Sequence, residues 1–126
     1  MLSDENLERY ARQAIMPDIG EEGQEQLLAA RVLVVGAGGR GSPAMLYLAA
    51  AGIGHITIID PEQVELSNLN RQVLHTTSSI GTAKAQQAAA AVAALNPAIE
   101  VTALVERLDD GNIEALLTSH DVVVDC

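Results

Sequence analysis

The sequence predicts an α/β domain, a mostly parallel sheet with helices packed against it. Three observations carry this. Arg31–Val35 is an unbroken apolar run after its first residue, as a strand covered on both faces requires, and it leads straight into Gly36-Ala37-Gly38-Gly39-Arg40-Gly41. His55–Ile59 is a second strand, and it closes on an acid, Asp60. Helical and strand-like segments then alternate along the chain, which means parallel strands joined by crossover helices. A strand, a glycine turn, a helix and a second strand ending in an acid make the domain Rossmann-like.

The elements follow in order. Ser3 is placed to cap a helix over about Asp4–Gln13, where Leu7, Tyr10, Ala11 and Ala14 fall near helical spacing. Pro17–Gly20 interrupts, and Glu21–Ala30 forms a second short helix with Leu27 and Leu28 on its apolar side. After the glycine turn, Ser42 is expected to cap a helix that Pro43 opens, since proline lacks only an amide that is unpaired there. Gly52 ends that helix after Ala51. The second strand runs His55–Asp60. Pro61–Ser79 is polar and lacks sustained periodicity, apart from a turn of helix capped by Ser67.

Gly81–Leu95 reads as an alanine-rich helix ended by Asn96-Pro97. Glu100–Val105 is a third strand, and Asn112–Ser119 is a short helix capped by Asp109 or Asp110. Asp121–Asp125 is a fourth strand. Residues 1–30 thus form an N-terminal helical segment and residues 31–126 the Rossmann-like domain. A buried strand stopping at Cys126 implies that this domain is incomplete and that the chain is the N-terminal piece of a larger protein. Leu46, Leu48 and Ile53 are assigned to the core.

Composition narrows the function. The chain has 126 residues, 48% of them hydrophobic, and a formal charge of −10. An acidic surface argues against nucleic acid and anionic membranes as partners. One cysteine excludes an internal disulfide or a zinc cluster within this stretch. The N-terminus has no basic start or apolar run, and no segment reaches the ~18 apolar residues of a membrane span. The expected location is the cytoplasm.

Gly36, Gly38 and Gly41 match G-x-G-x-x-G, with Gly39 as an extra glycine. The pattern is weak alone, but here it follows a strand, opens a helix and precedes an acid at about the usual twenty-residue spacing. Backbone amides of such a turn approach phosphate, and Asp60 is placed to hold a ribose hydroxyl. The insert Glu65-Leu66-Ser67-Asn68-Leu69-Asn70-Arg71-Gln72 is foreign to a simple dinucleotide fold. Arg71 reaches the phosphates if the insert folds back over the glycine turn, and Lys84 lies near the start of the next helix. Two cations without an aromatic platform suit a triphosphate. His55, His75 and His120 are scattered and share no ligand spacing; His75 sits near the insert, where it could approach a nucleotide, but is weighted towards a surface or core role. Cys126 is expected to be a buried strand end, not a catalytic thiol. Tyr10 is expected to pack the first helix onto the domain or a partner.

Arg9-Tyr10-Ala11-Arg12-Gln13, the glycine turn, Ile58-Ile59-Asp60, Ser67-Asn68-Leu69-Asn70-Arg71-Gln72, Lys84, Leu95-Asn96-Pro97 and Asp121–Cys126 occur in an order that resembles the ThiF/MoeB/HesA family, bacterial relatives of ubiquitin-activating enzymes. The resemblance covers nearly the whole chain. It implies a homodimer that binds ATP and Mg2+ and adenylates the C-terminal Gly-Gly carboxylate of a ubiquitin-like sulfur carrier protein. A ThiS-like carrier would serve thiamine synthesis and a MoaD-like carrier molybdopterin synthesis.

Carried over by position, the resemblance sets Gly39 and the flanking turn glycines against the phosphates and Asp60 on the ribose. It lines the nucleotide site with Ser67-Asn68-Leu69-Asn70-Arg71 and puts Lys84 on the phosphates. Arg12 becomes an arginine finger reaching the partner subunit's site. Arg12, Arg71 and Lys84 are therefore the catalytic candidates, and no residue here is assigned to metal.

Arg40 departs from the family pattern, where an apolar residue is usual. The family's magnesium-binding aspartate is expected beyond Cys126, as are the zinc-binding cysteine pairs and the carrier-docking half. The chain by itself is accordingly expected not to catalyse adenylation. Two other readings compete. An NAD-dependent oxidoreductase shares the glycine turn and Asp60 but leaves Arg12, the insert and Lys84 unexplained. A non-catalytic family member or fragment accommodates Arg40 and the missing half.

Overall fold

A computed structural model describes residues 1–126. The chain runs α1 (Asp4–Arg9), α2 (Ala11–Ala14), α3 (Gly20–Ala29), β1 (Arg31–Val35), α4 (Gly41–Ala51), β2 (His55–Ile59), α5 (Lys84–Leu95), β3 (Glu100–Leu104), α6 (Ile113–Thr118) and β4 (Val122–Asp125). Between β2 and α5 lie two 3₁₀ turns, Leu66–Asn68 and Thr77–Ser79. The four strands form one sheet in the order β3-β2-β1-β4, and every neighbouring pair is parallel. The order reverses between β1 and β4, as a doubly wound sheet requires.

Strand alternation divides the two faces. Val32, Val34, Ile56 and Ile58 turn to one side, where they join Met45 and Ala49 of α4 and Ala85, Ala88 and Val92 of α5 in the main core cluster. The alanines of α5 let it approach both α4 and the sheet closely. Ile53 belongs to this core, while Leu46 and Leu48 are only partly buried against it. Leu33 and Thr57 turn to the opposite face. There His120, just past α6, has Nε2 2.8 Å from Thr57 Oγ1. No residue of α6 is buried, so this face is thinly covered.

The first predicted helix is divided at Tyr10. Ser3 does cap it, accepting the Asn6 amide at 3.2 Å. Tyr10 then turns inward, 1% exposed, and its hydroxyl accepts from Asn96 Nδ2 at 2.7 Å. The same Asn96 nitrogen donates to the Ala49 carbonyl at 2.9 Å. Gln13 and Gln24 both donate to the Ala51 carbonyl, at 2.9 and 3.0 Å. Side chains from three distant segments thus satisfy the end of α4, whose last carbonyls have no intrahelical partner. Gly52 closes that helix at φ +90°, and a side chain there would stand 2.7 Å from the Tyr10 ring.

Other boundaries differ for physical reasons. Ser42 does not cap α4: the helix already begins at Gly41, and the Ser42 hydroxyl is buried without a partner. Gly41 can enter the helix early because it lies against the Gly36 carbonyl, where a Cβ would stand 2.1 Å from the oxygen. The turn at Leu66–Asn68 is capped by Glu65 and Asn68 reciprocally, not by Ser67. The helix expected from Gly81 starts at Lys84, because the preceding residues pair with Glu62–Val64. Val64 donates to Thr82 at 2.8 Å, Gly81 to Val64 at 2.9 Å and Lys84 to Glu62 at 2.9 Å. Asp109 serves α6 by taking the Gly111 and Asn112 amides at 2.9 and 3.2 Å. Asp60, Val105 and Asp121 lie just outside their strands. Finally, β4 is an edge strand with Val122 54% and Val123 39% exposed, and Cys126 is exposed rather than buried.

Candidate functional site

Parallel pairing brings the C-terminal ends of β1, β2 and β4 to one edge of the sheet. There a cleft of about 510 Å³ opens, lined among others by Gly36, Asp60, Glu62, Glu106, Arg107 and Asp125. It sits where the strand order reverses, the usual ligand position in an open α/β sheet. Its side-chain charge is mainly acidic, with Arg107 the one cation in the lining.

The glycine turn enters the cleft at Gly36 and leads away from it into α4. Gly36 has φ +98°, a conformation natural to glycine, and a side chain there would press on the backbone of Cys126 at 3.3 Å. The amides of Gly38, Gly39, Arg40 and Gly41 donate to no acceptor in the protein. Consecutive free amides at the start of an eleven-residue helix are a ready anion site, because the helix dipole adds its positive end.

Asp60 is 4% exposed and spans two backbone segments. Its Oδ2 accepts the Ala37 amide at 2.8 Å and its Oδ1 accepts the Glu62 amide at 2.7 Å. Each oxygen retains a further acceptor site, since an ionised carboxylate offers about four. Asp60 therefore shapes the turn and still presents lone pairs to the cleft.

The insert folds back over the turn. Arg71 lays its stem on Gly39, with Cγ 3.6 Å from where a Cβ would be, and Gln72 lies against Gly38 at 3.7 Å in the same sense. His75 reaches beneath, its Nε2 2.7 Å from the Ala37 carbonyl. Arg71 Nη1 donates to the Ser67 carbonyl and to Asn70 Oδ1, both at 3.0 Å, which steadies an exposed guanidinium beside the free amides. Asn68 is buried and takes the Glu65 amide at 2.9 Å. Leu69 is half-buried, and Ser67 and Asn70 are exposed. Lys84 is buried, with Nζ 3.4 Å from Oε1 of Glu62 on the cleft wall.

The chain thus gathers Gly36, Gly38, Gly39, Gly41, Asp60, Arg71 and Lys84 in one neighbourhood. Arg12 is not among them. It is exposed on α2, makes no hydrogen bond or ion pair, and lines no part of the cleft. Arg40 stands exposed at the start of α4 without an ion-pair partner. His55 pairs with Glu100 at 3.1 Å, away from the site. Sequence reasoning missed Gln72 and Glu62, and also Glu106, Arg107 and Asp125 of the cleft lining. The signal available for Gln72 was its place beside Arg71, opposite two adjacent glycines.

Known proteins resemble the chain over nearly its whole length. The model of the ThiF family matches residues 10–126. The chain is 49% identical over 121 residues to a sulfur carrier protein adenylyltransferase of Thermus thermophilus, covering 96% of this chain and 45% of that protein. It is 45% identical over 125 residues to a molybdopterin-synthase adenylyltransferase of Escherichia coli, covering 99% of this chain and 50% of that one. Among solved structures, the E. coli tRNA N6-threonylcarbamoyladenosine dehydratase in complex with ATP superposes with a TM-score of 0.91 at 32% identity, covering 100% of this chain and 51% of that chain. The chain spans half or less of the length of these curated relatives.

Proposed function

This chain belongs to the ThiF family, and from that premise we propose that it supplies the nucleotide-binding part of an enzyme that uses ATP to adenylate a ubiquitin-like sulfur carrier protein at its C-terminal carboxylate. The observation that carries this reading is the insert laid across the glycine turn. It lays the stem and Nε of Arg71 against Gly39, within the run of free amides from Gly38 to Gly41.

In the proposed reaction the carrier carboxylate attacks the α-phosphorus of ATP. A carboxyl–phosphorus bond forms, the bond to pyrophosphate breaks, and the products are an acyl-adenylate and pyrophosphate. The carrier brings the nucleophile, so the protein contributes position and charge. The glycine turn holds phosphate oxygens through its amides. Asp60 accepts a ribose hydroxyl through the lone pairs its two backbone bonds leave open. Ser67, Asn68, Leu69 and Asn70 shape the loop that carries Arg71. Arg71 and Lys84 neutralise the charge that gathers on the departing pyrophosphate. Lys84 exchanges its contact with Glu62 for phosphate.

Arg12 acts on the site of a second copy in a homodimer. Its exposure on α2, with no hydrogen bond or ion pair to its own chain, favours that assignment over a role in cis. A magnesium ion, where bound, would neutralise and orient the triphosphate. No group of three His, Cys, Asp or Glu side chains in residues 1–126 is placed to share a metal ion. Zinc likewise has no cysteine cluster here, the chain having a single cysteine. No helix is long and apolar enough to cross a membrane, and with a charge of −10 a cytoplasmic location is the natural proposal.

The test is carrier-dependent ATP–pyrophosphate exchange by the protein from its complete reading frame, with ThiS-like and MoaD-like carriers offered separately. Exchange with one carrier supports adenylation and separates thiamine from molybdopterin synthesis. ATP binding without exchange on either carrier overturns adenylation in favour of a non-catalytic role.

A further inference from the structure

We propose that His75 is a positioning residue that aims the Gly38 amide at the bound anion, an inference that rests on the nucleotide reading of this site. A glycine-rich turn has little preference of its own, because glycine visits left-handed and right-handed regions almost equally. Its shape must be imposed from outside. Here that is done at Ala37, fully buried, from two sides. Asp60 of the β2 end takes the Ala37 amide at 2.8 Å. His75 of the insert meets the Ala37 carbonyl at 2.7 Å.

A carbonyl can only accept, so His75 Nε2 carries the hydrogen and the ring is the Nε2–H tautomer. The Ala37 carbonyl and the Gly38 amide share one planar trans peptide and point in opposite directions. Fixing the carbonyl towards His75 therefore fixes the Gly38 N–H on the other side. That amide is the first of the four that have no acceptor in the protein.

Packing does not account for a histidine here. The side chain is 5% exposed, and its Nδ1 is buried with no partner. An unpaired buried polar atom is a cost that an apolar side chain of similar size would avoid. The bond to Ala37 is the ring's one hydrogen bond, and it acts on the turn. Arg71 and Gln72 of the same insert lie on Gly39 and Gly38, so the insert holds the turn at three consecutive residues.

The experiment compares wild type, His75→Leu and His75→Gln. Glutamine carries an amide N–H that can reach about where Nε2 does. Leucine fills space without a donor. Titration with ATP and with inorganic pyrophosphate is expected to show about tenfold weaker binding for the leucine variant, the worth of a directed hydrogen bond. Glutamine is expected to recover most of it, while the thermal midpoint of the leucine variant does not fall in proportion.

Nuclear magnetic resonance of the ligand-free protein gives a second, independent reading. The His75 ring should show the Nε2–H tautomer, and the Gly38 amide should shift with leucine but not with glutamine. Equal affinities for wild type and the leucine variant, or an Nδ1–H ring, overturn the proposal. A wild-type protein that binds neither ATP nor pyrophosphate, yet shows the expected ring and Gly38 signals, removes the nucleotide reading and leaves the latch on Ala37 standing. A variant that does not fold leaves the wild-type ring spectrum to decide.

Discussion

Arg71 and Gly39 are matched surfaces: the arginine stem runs 3.6–3.9 Å from the place a side chain on Gly39 would occupy. The extra glycine of the turn is thereby explained by the insert. A bulky residue at Gly39 would lift Arg71 away from the free amides, whereas alanine would make only ordinary contact.

Arg71→Ala is expected to separate binding from stability. The guanidinium is exposed and held only by Ser67 and Asn70, so unfolding should change by no more than about 0.5 kcal/mol. Charge-assisted contact with phosphate is worth about 1.5–3 kcal/mol, so nucleotide affinity should fall roughly tenfold to a hundredfold. Calorimetric titration and a thermal melt on one preparation check both halves. Gly39→Val should reproduce the affinity loss with Arg71 intact.

Gly41→Ala tests the backbone approach that starts α4 early. The new Cβ would lie 2.1 Å from the Gly36 carbonyl oxygen. Backbone cannot yield as a side-chain tip does, and the expected loss is about 3 kcal/mol or more. Gly38→Ala, whose Cβ would meet only Gln72 at 3.7 Å, should cost far less. Urea unfolding of the pair measures the difference. Comparable stabilities would mean that the two turn glycines are not under different steric demands.

Tyr10→Phe tests the docking of the N-terminal segment. It leaves a buried Asn96 N–H without its acceptor at 2.7 Å, a cost of about 1–3 kcal/mol. Asn96→Ala also strips the Ala49 carbonyl of its side-chain donor and should cost more. Denaturant midpoints with unchanged slopes are the expected result.

Much of this architecture was legible because it is local. The apolar runs of β1 and β2, the glycine spacing and Asp60 each state a backbone requirement within a few residues. What escaped was set by distant contacts. The break at Tyr10 follows from a bond to Asn96 across the fold. The Ser42 cap failed because Gly36 and Gly41 approach each other in three dimensions. The pattern of the family makes Cys126 a buried strand end, yet β4 lies at the edge in the order β3-β2-β1-β4 and Cys126 is exposed. The return of the insert was legible only as a condition, because nothing within Ser67–Gln72 specifies where a polar loop lands. Gly38 and Gly39, on the receiving side, supply the missing half.

Arg12 permits the sharpest test of the proposed dimer. It makes no contact that would hold the fold, so Arg12→Ala should melt like wild type yet lose adenylation. Lys84→Met removes a buried cation whose partner, Glu62, is 67% exposed and can return to water. It too should fold, and losing one charge from the transition state should lower exchange by about two to three orders of magnitude. If Arg12 works across the interface, its loss and that of Lys84 damage different subunits' contributions. A mixed dimer then contains one site with both residues intact. Random mixing of equal amounts should restore roughly a quarter of wild-type exchange from two nearly inactive proteins. Were Arg12 to act within its own chain, each site of the mixed dimer would lack one residue and mixing would restore nothing. The same null result with a demonstrably exchanged dimer would also withdraw Arg12 from the trans role that the family resemblance gives it.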